Sequence, residues 1–286
     1  MVTPKSLAEK ALIVKVSVSC WNGMIQDKKV TEDTNSSLGI KGKRGSFVKK
    51  IMQSDELNAV SNNQQKIRQF IMKVSLPWLD GGWRLVKSDS FIKTKQEIDN
   101  LIHEFNKSVR AFIDAYDRIK FEDMQMLKNA YDGKDYPSAN ELASKFGVYM
   151  HFDKISDNDF RNFGYDQSII DEMEKGAMEE FESRLKAGKV EIINRLRDEI
   201  AHFAERLAKG SFKQNTINNI TEAIKDLRDL NIGEDSAITS LADAIAGAMP
   251  TDAESVRDSE SAMNDAKDVC KASIEEIDRL TADLLM

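Results

Sequence analysis

The sequence predicts a mainly α protein (α+β class). Its expected parts are a long antiparallel helical hairpin or coiled coil, a small N-terminal β element and a helical C-terminal region. Three observations lead there. The 286 residues are 41% hydrophobic and 31% charged, the balance of exposed helix carrying a narrow buried stripe. Two segments, 98–119 and 193–207, hold apolar residues at three- and four-residue spacing. The clearest β-branched alternating run is short and N-terminal, over residues 12–21.

In that run, Leu12-Ile-Val-Lys-Val-Ser-Val-Ser-Cys-Trp21, Ile13 and Lys15 fall opposite Val14, Val16 and Val18, predicting a strand with one buried face. Asn22-Gly23 reads as a hairpin turn, and residues 24–30 as the returning strand. Residues 31–46 contain Asn35, Ser36, Ser37, Gly39, Gly42 and Gly45, keep no sustained period, and read as a loop. Residues 1–53 thus form a first region of β-hairpin and basic Gly-rich loop.

A second region, 54–210, is expected to be the long helical hairpin, with a small insert at 131–166. Leu57, Val60, Ile67, Phe70, Ile71 and Val74 predict a helix that Pro77 closes, followed by a turn between Trp78 and Trp83, both packed beneath it. From Phe91 the seam continues through Ile98, Ile102, Phe105, Val109, Phe112, Tyr116 and Ile119, a heptad pattern over about residues 89–130. Such a helix is roughly 60 Å long at about 1.5 Å per residue. In the insert, Ser138 and Glu141 have capping-box spacing, and 148–155 reads as a strand that pairs with the N-terminal hairpin. The returning helix, about 167–209, carries Phe181, Leu185, Ile193, Leu196, Ile200, Phe203 and Leu207, with Gly176 and Gly188 as places for a bend. An antiparallel pair lets each stripe find its partner on the same chain.

The third region, 211–286, contains helices at about 214–230 and 236–249. Beyond Pro250 a last helix carries Met263, Ala266, Cys270, Ser273, Ile277, Leu280 and Leu284. It is acidic: residues 231–286 hold four Lys or Arg against thirteen Asp or Glu, while residues 1–50 hold ten against four. The net charge of −7 therefore conceals a basic head and an acidic tail. The acidic face reads as solvated or as a docking face for a basic partner.

No window has the roughly 18 apolar residues of a bilayer span, since the run 11–18 is broken by Lys15 and Ser17. No membrane association is expected. Two cysteines, Cys20 and Cys270, make no disulfide framework, and with no secretory leader evident the expectation is a cytoplasmic protein with both thiols structural.

Chemistry is sparse. His103, His151 and His202 lie in different predicted elements. Glu199 and His202 have the spacing of a di-iron ligand pair, but the other long helix offers Asp99 and His103 four apart and Phe at 105, so neither metal nor cofactor is expected. Gly39-Ile-Lys-Gly-Lys-Arg-Gly45-Ser46 fails the Walker A spacing. What survives is charge. Lys41, Lys43, Arg44, Lys49 and Lys50 place five cations in ten residues with no acid among them. Such a loop grips phosphates with its glycines and backbone donors, or docks on an acidic protein surface. Phe47 is the single ring within it.

The strand ending Val16-Ser-Val-Ser-Cys-Trp21-Asn-Gly23, the Gly-rich link, the long helix and Tyr136-Pro-Ser-Ala-Asn-Glu-Leu-Ala-Ser-Lys-Phe146 together resemble an uncharacterised phage and plasmid protein family. Its members are often encoded beside a MoxR-like AAA ATPase and a von Willebrand A-domain protein. The likeness spans about residues 12–210. It implies a mobile-element origin, a host-cell cytoplasmic setting and an AAA ATPase as a partner, and it carries over no catalytic residue. The expected function is a non-enzymatic interaction or scaffold protein of a phage-type system, oligomeric or an adaptor for the ATPase. The alternatives are nucleic-acid binding through residues 41–50, a virion component, or an inhibitor of a host defence protein.

Overall fold

The computed structural model describes residues 2–42, 44–156 and 165–285. Helix α1 (Pro4–Lys10) begins at a Thr3 cap and leads directly into β1 (Ala11–Ser19). Then come β2 (Met24–Gln26), α2 (Lys28–Ser37), β3 (Val48–Lys50) and α3 (Asp55–Lys73). Strands β4 (Leu76–Leu79) and β5 (Trp83–Lys87) precede the long α4 (Ser88–Leu127). The insert contributes α5 (Ala139–Ala143) and β6 (Gly147–Asp153). Finally α6 (Gln167–Ala208), α7 (Gln214–Asp229), α8 (Ser236–Ala248), α9 (Ala253–Arg257) and α10 (Glu260–Leu285) complete the chain. The class is mainly α with a small β component.

These elements form two compact units that are not consecutive stretches. Unit 1 takes its described residues from 1–15, 72–92 and 151–286, and unit 2 from 16–71 and 93–150.

In unit 1, the N-terminal half of β1 pairs antiparallel with β5, Ile13 opposite Leu85 and Lys15 opposite Trp83, and β5 pairs antiparallel with β4. The strand order is β4-β5-β1-β6, in which residues 16–19 of β1 and 147–150 of β6 belong to unit 2. Leu76 and Trp78 alternate inward from β4; Leu76 lies against Gly188 of α6 and the Trp78 ring meets Phe181 edge-on at 5.7 Å. The α6 stripe, Ile193, Leu196, Ile200, Phe203 and Leu207, is fully buried with Ile217, Ile220, Ile224 and Leu227 of α7 and Cys270 and Ile277 of α10. Burial of that much aliphatic surface dominates the unit's stability.

In unit 2, the α4 seam from Phe105 to Ile119 packs with Leu57, Val60 and Ile67 of α3, and Leu142 of α5 joins them. Arg118 bridges to Glu56 at 2.5 Å across the same pair of helices. The Trp21 ring stacks near Phe112, which Tyr116 and Phe146 meet edge-on. Ser138 caps α5 in a reciprocal box with Glu141, as its spacing predicts.

Within unit 1, α6 turns back onto α7 across the link 209–213, forming a helical hairpin, and packs along α10. Within unit 2, the α4 stripe is faced by α3. The expected N-terminal β-hairpin is replaced. Asn22 keeps a negative φ and only Gly23 is left-handed, at +66°, so the two-residue turn that joins hairpin strands is not made. Instead β1 lies between β5 and β6, and β2 pairs with β3. Residues 28–37, read as strand end and loop, are helical although none of them is buried. The Asp27 carboxylate accepts from Val30 N at 3.0 Å to start α2. Its end is a Schellman turn: Ile40 N donates to Asn35 O at 2.8 Å and Gly39 N to Ser36 O at 3.2 Å, with Gly39 at φ +65°. The turn expected at 78–83 is the tip of the β4–β5 hairpin. Helix α6 runs unbroken through Gly176 and Gly188.

Candidate functional site

The predicted cationic residues fall in the segment 23–52 of unit 2. Its base is a two-stranded antiparallel ribbon with Met24 opposite Lys50, Ile25 opposite Lys49 and Gln26 opposite Val48. Flanking bonds run from Asp27 N to Phe47 O at 3.0 Å and from Ile51 N to Gly23 O at 2.8 Å. Hydrogen-bonded rungs in an antiparallel pair recur every second residue, so residues 47, 49 and 51 address β2 and the backbone groups of Val48 and Lys50 point away from it.

The two faces of the ribbon differ. Ile25 packs against the unit 2 core, and beside it Lys49 is largely withdrawn from solvent, its side chain 13% exposed. The Lys49 ammonium lies 2.7 Å from Asp135 and 3.7 Å from Asp27, and donates to Ala130 O at 3.0 Å. The hydrogen bond to Asp135 is the main cause of a raised ammonium pKa, which burial opposes. The Tyr136 hydroxyl donates to Ile51 O at 2.5 Å and fixes the end of β3. Burial above all pushes that phenol's pKa upward. The inner face is therefore fastened. On the outer face Met24, Gln26, Val48 and Lys50 are all exposed, Val48 by 55%.

Between the ribbon and α2 the loop is pinned at its base. Asn35 Nδ2 donates to Gly45 O at 3.1 Å, and Phe47 N donates to Thr31 Oγ1 at 2.8 Å. Lys41 and Arg44 stand exposed and line a shallow hollow with Gly39 and Ile40. Leu38, 68% exposed, and the Phe47 ring are further apolar groups left open to water. No acidic residue occurs between Asp33 and Asp55.

The predicted set of five thus divides. Lys41, Arg44 and Lys50 are exposed on this segment, Lys49 is engaged internally, and Lys43 lies outside the described residues. The expected phosphate cradle of backbone donors does not form at the first glycine, because the N–H groups of Leu38, Gly39 and Ile40 all close the end of α2. Sequence reasoning missed the exposed apolar residues of this segment, Met24, Leu38 and Val48. Isolated apolar residues in a charged run carry no periodicity to reveal them.

Elsewhere, the structure brings charges together without leaving them available. In unit 1, Arg84 Nε donates to Ser75 Oγ at 2.7 Å, while its Nη2 donates to Ser75 O at 2.9 Å and to Glu191 at 3.2 Å. Arg195 also reaches Glu191, and donates to Ser75 O and Lys73 O at 3.2 Å each. Burial lowers the Arg84 pKa despite Glu191. This knot ties the start of β4 to α6. His103, His151 and His202 are each exposed, and among the described residues no three His, Cys, Asp or Glu side chains gather as a metal site requires. Cys270 is sealed in the unit 1 core, where burial raises its thiol pKa to about 11. Cys20 is half-buried, and burial raises its pKa too, against Arg68. Neither has the thiolate character of a reactive cysteine. No helix among the described residues is long and apolar enough to cross a membrane. No protein-family model, curated protein or solved structure matches the chain.

Proposed function

We propose that this chain is a non-enzymatic interaction protein that engages a partner protein through the outer face of residues 23–52. One observation carries the reading. Met24, Val48 and Lys50 are held open to solvent on one face of the ribbon, with exposed Leu38, Lys41, Arg44 and Phe47 on the same segment, while the opposite face is fastened by Lys49 and Tyr136. Apolar residues rimmed by charge, on a rigidly backed element, are the anatomy of a docking face. The resemblance of residues 12–210 to a phage and plasmid family adds the setting: a scaffold or adaptor in a phage-type system, with an AAA ATPase or a second copy of the chain as the partner.

The exposed Lys41, Arg44 and Lys50 favour one other reading, nucleic-acid binding. The test introduces a photo-crosslinking residue at Phe47 of the full chain, with and without nuclease. A discrete protein adduct that survives nuclease, and is lost when Lys41, Arg44 and Lys50 are changed to Glu, supports the docking face. Adducts that vanish with nuclease overturn it. Nucleic-acid binding would also weaken steeply with salt, with a log–log slope near the number of phosphates contacted.

A further inference from the structure

The open side of β3 carries more than charge. The ribbon register turns the N–H and C=O of Val48 and Lys50 away from β2, and among the described residues no strand pairs with that side. Both side chains lie on the exposed outer face. An edge with free backbone groups is a template for another strand, and β3 is held in place for that role from behind. Ile51 is bonded to Gly23 and Tyr136, Lys49 to Asp135 and Ala130, and Phe47 to Asp27 and Thr31. At three residues the edge is too short to seed indefinite stacking, and it suits a single added segment.

We propose that β3 receives an extended, acidic segment of the partner protein by strand addition, hydrogen-bonded to the backbone of Val48 and Lys50. The inference rests on the docking-face reading and specifies its chemistry. Strand addition gives affinity through the main chain and specificity through alternate side chains. Val48 and Lys50 are two residues apart on one face, so the incoming strand sets an apolar residue against Val48 and a carboxylate against Lys50. Charge complementarity selects the occupant. Exposed Lys41 and Arg44 add to Lys50, no acid falls between Asp33 and Asp55, and a basic segment would be repelled.

The test uses the full chain, labelled with ¹⁵N, and the peptide Thr-Glu-Thr-Val-Thr-Glu-Thr, whose palindromic order fits either strand direction. Millimolar peptide is expected to shift the amide signals of Val48 and Lys50 and to slow their hydrogen exchange, leaving Ile25 and Lys49 little changed. Val48→Pro removes an outward N–H while the bonds to β2, made by residues 47, 49 and 51, remain. It is expected to weaken binding at least tenfold, and Lys50→Glu similarly. Should Val48→Pro fail to fold, the same peptide N-methylated at its valine and at the threonine after it removes the donor that faces Val48 O in either strand direction, and is expected to lose binding to the unaltered chain. Undiminished binding by the N-methylated peptide or by folded Val48→Pro overturns strand addition. So does a stronger response to oligo-dT or to phosphatidylserine vesicles than to the peptide. If the crosslinked protein adduct at Phe47 persists while these tests fail, the face is right and the mode is wrong. If the adduct is also absent, both readings fall.

Discussion

Asp123 shows how a single carboxylate sets a pH response. It sits on α4 with Oδ2 buried and without a hydrogen-bond partner. Burial raises its pKa, Glu122 adds to the rise, and the Gln53 backbone opposes it. A carboxyl whose folded pKa lies above its unfolded value makes the folded state bind more protons, so the cost of ionising it appears as pH rises past the ordinary carboxylate value. Asp123→Asn is therefore expected to stabilise the protein at pH 7, by up to about 1 kcal/mol, because the amide carries no charge to withdraw from water. The advantage should shrink as pH falls towards 4, as thermal melts of both proteins across that range would show. Lys49 teaches a related lesson about legibility. As one of five clustered cations it is indistinguishable in sequence from Lys50, yet alternation along β3 turns Lys49 inward to Asp27 and Asp135 and leaves Lys50 outside. Charge was readable there, and direction was not, because the register was missing.

At the scale of elements, α6 contains two glycines with opposite roles. A Cβ at Gly176 would meet nothing within 4 Å, whereas one at Gly188 would lie 3.3 Å from Leu76 Cδ1. Gly176→Ala should stabilise by about 0.5–1 kcal/mol through helix propensity alone. Gly188→Leu should destabilise by about 1–3 kcal/mol by forcing α6 away from β4. Denaturant midpoints of the two variants would move in opposite directions, and a common direction would refute the assigned roles. The long helices were legible because Ile98 to Ile119 and Ile193 to Leu207 repeat their apolar residues over many turns. Helix α2 was not. Its sequence Lys-Lys-Val-Thr-Glu-Asp-Thr-Asn-Ser-Ser holds one apolar residue, and the helix is fixed by its ends, Asp27 and Gly39, rather than by a stripe. Strands β3, β4 and β5 are too short for alternation to outweigh turn signals such as Asp80-Gly81-Gly82.

For the molecule as a whole, the two cores make stability local. Phe112 is fully buried in unit 2 and Phe203 in unit 1. Either Phe→Ala change should cost about 3–5 kcal/mol, and hydrogen exchange should quicken chiefly in the unit that carries the change. Quickening spread evenly across both units would show them to be one cooperative body. Which stripes share a core was the part of the fold that sequence left open, since each seam matches any aliphatic surface of similar width. Partner choice followed from neighbours the periodicity does not encode: α3 standing before α4, and α7 and α10 after α6.

The interleaving of the units also orders events during synthesis. Every segment of unit 2 has been made once residue 150 leaves the ribosome, so its core can close early. Unit 1 waits much longer. Leu7, Ala11 and Ile13 share their core with Cys270 and Ile277, which are made more than 250 residues later. Contacts between such distant positions close slowly, and the nascent chain carries these apolar residues uncovered until the segments that complete their core have been made. A fragment of residues 1–150 should accordingly remain structured in unit 2 and clump through residues 1–15, a liability that their removal would relieve.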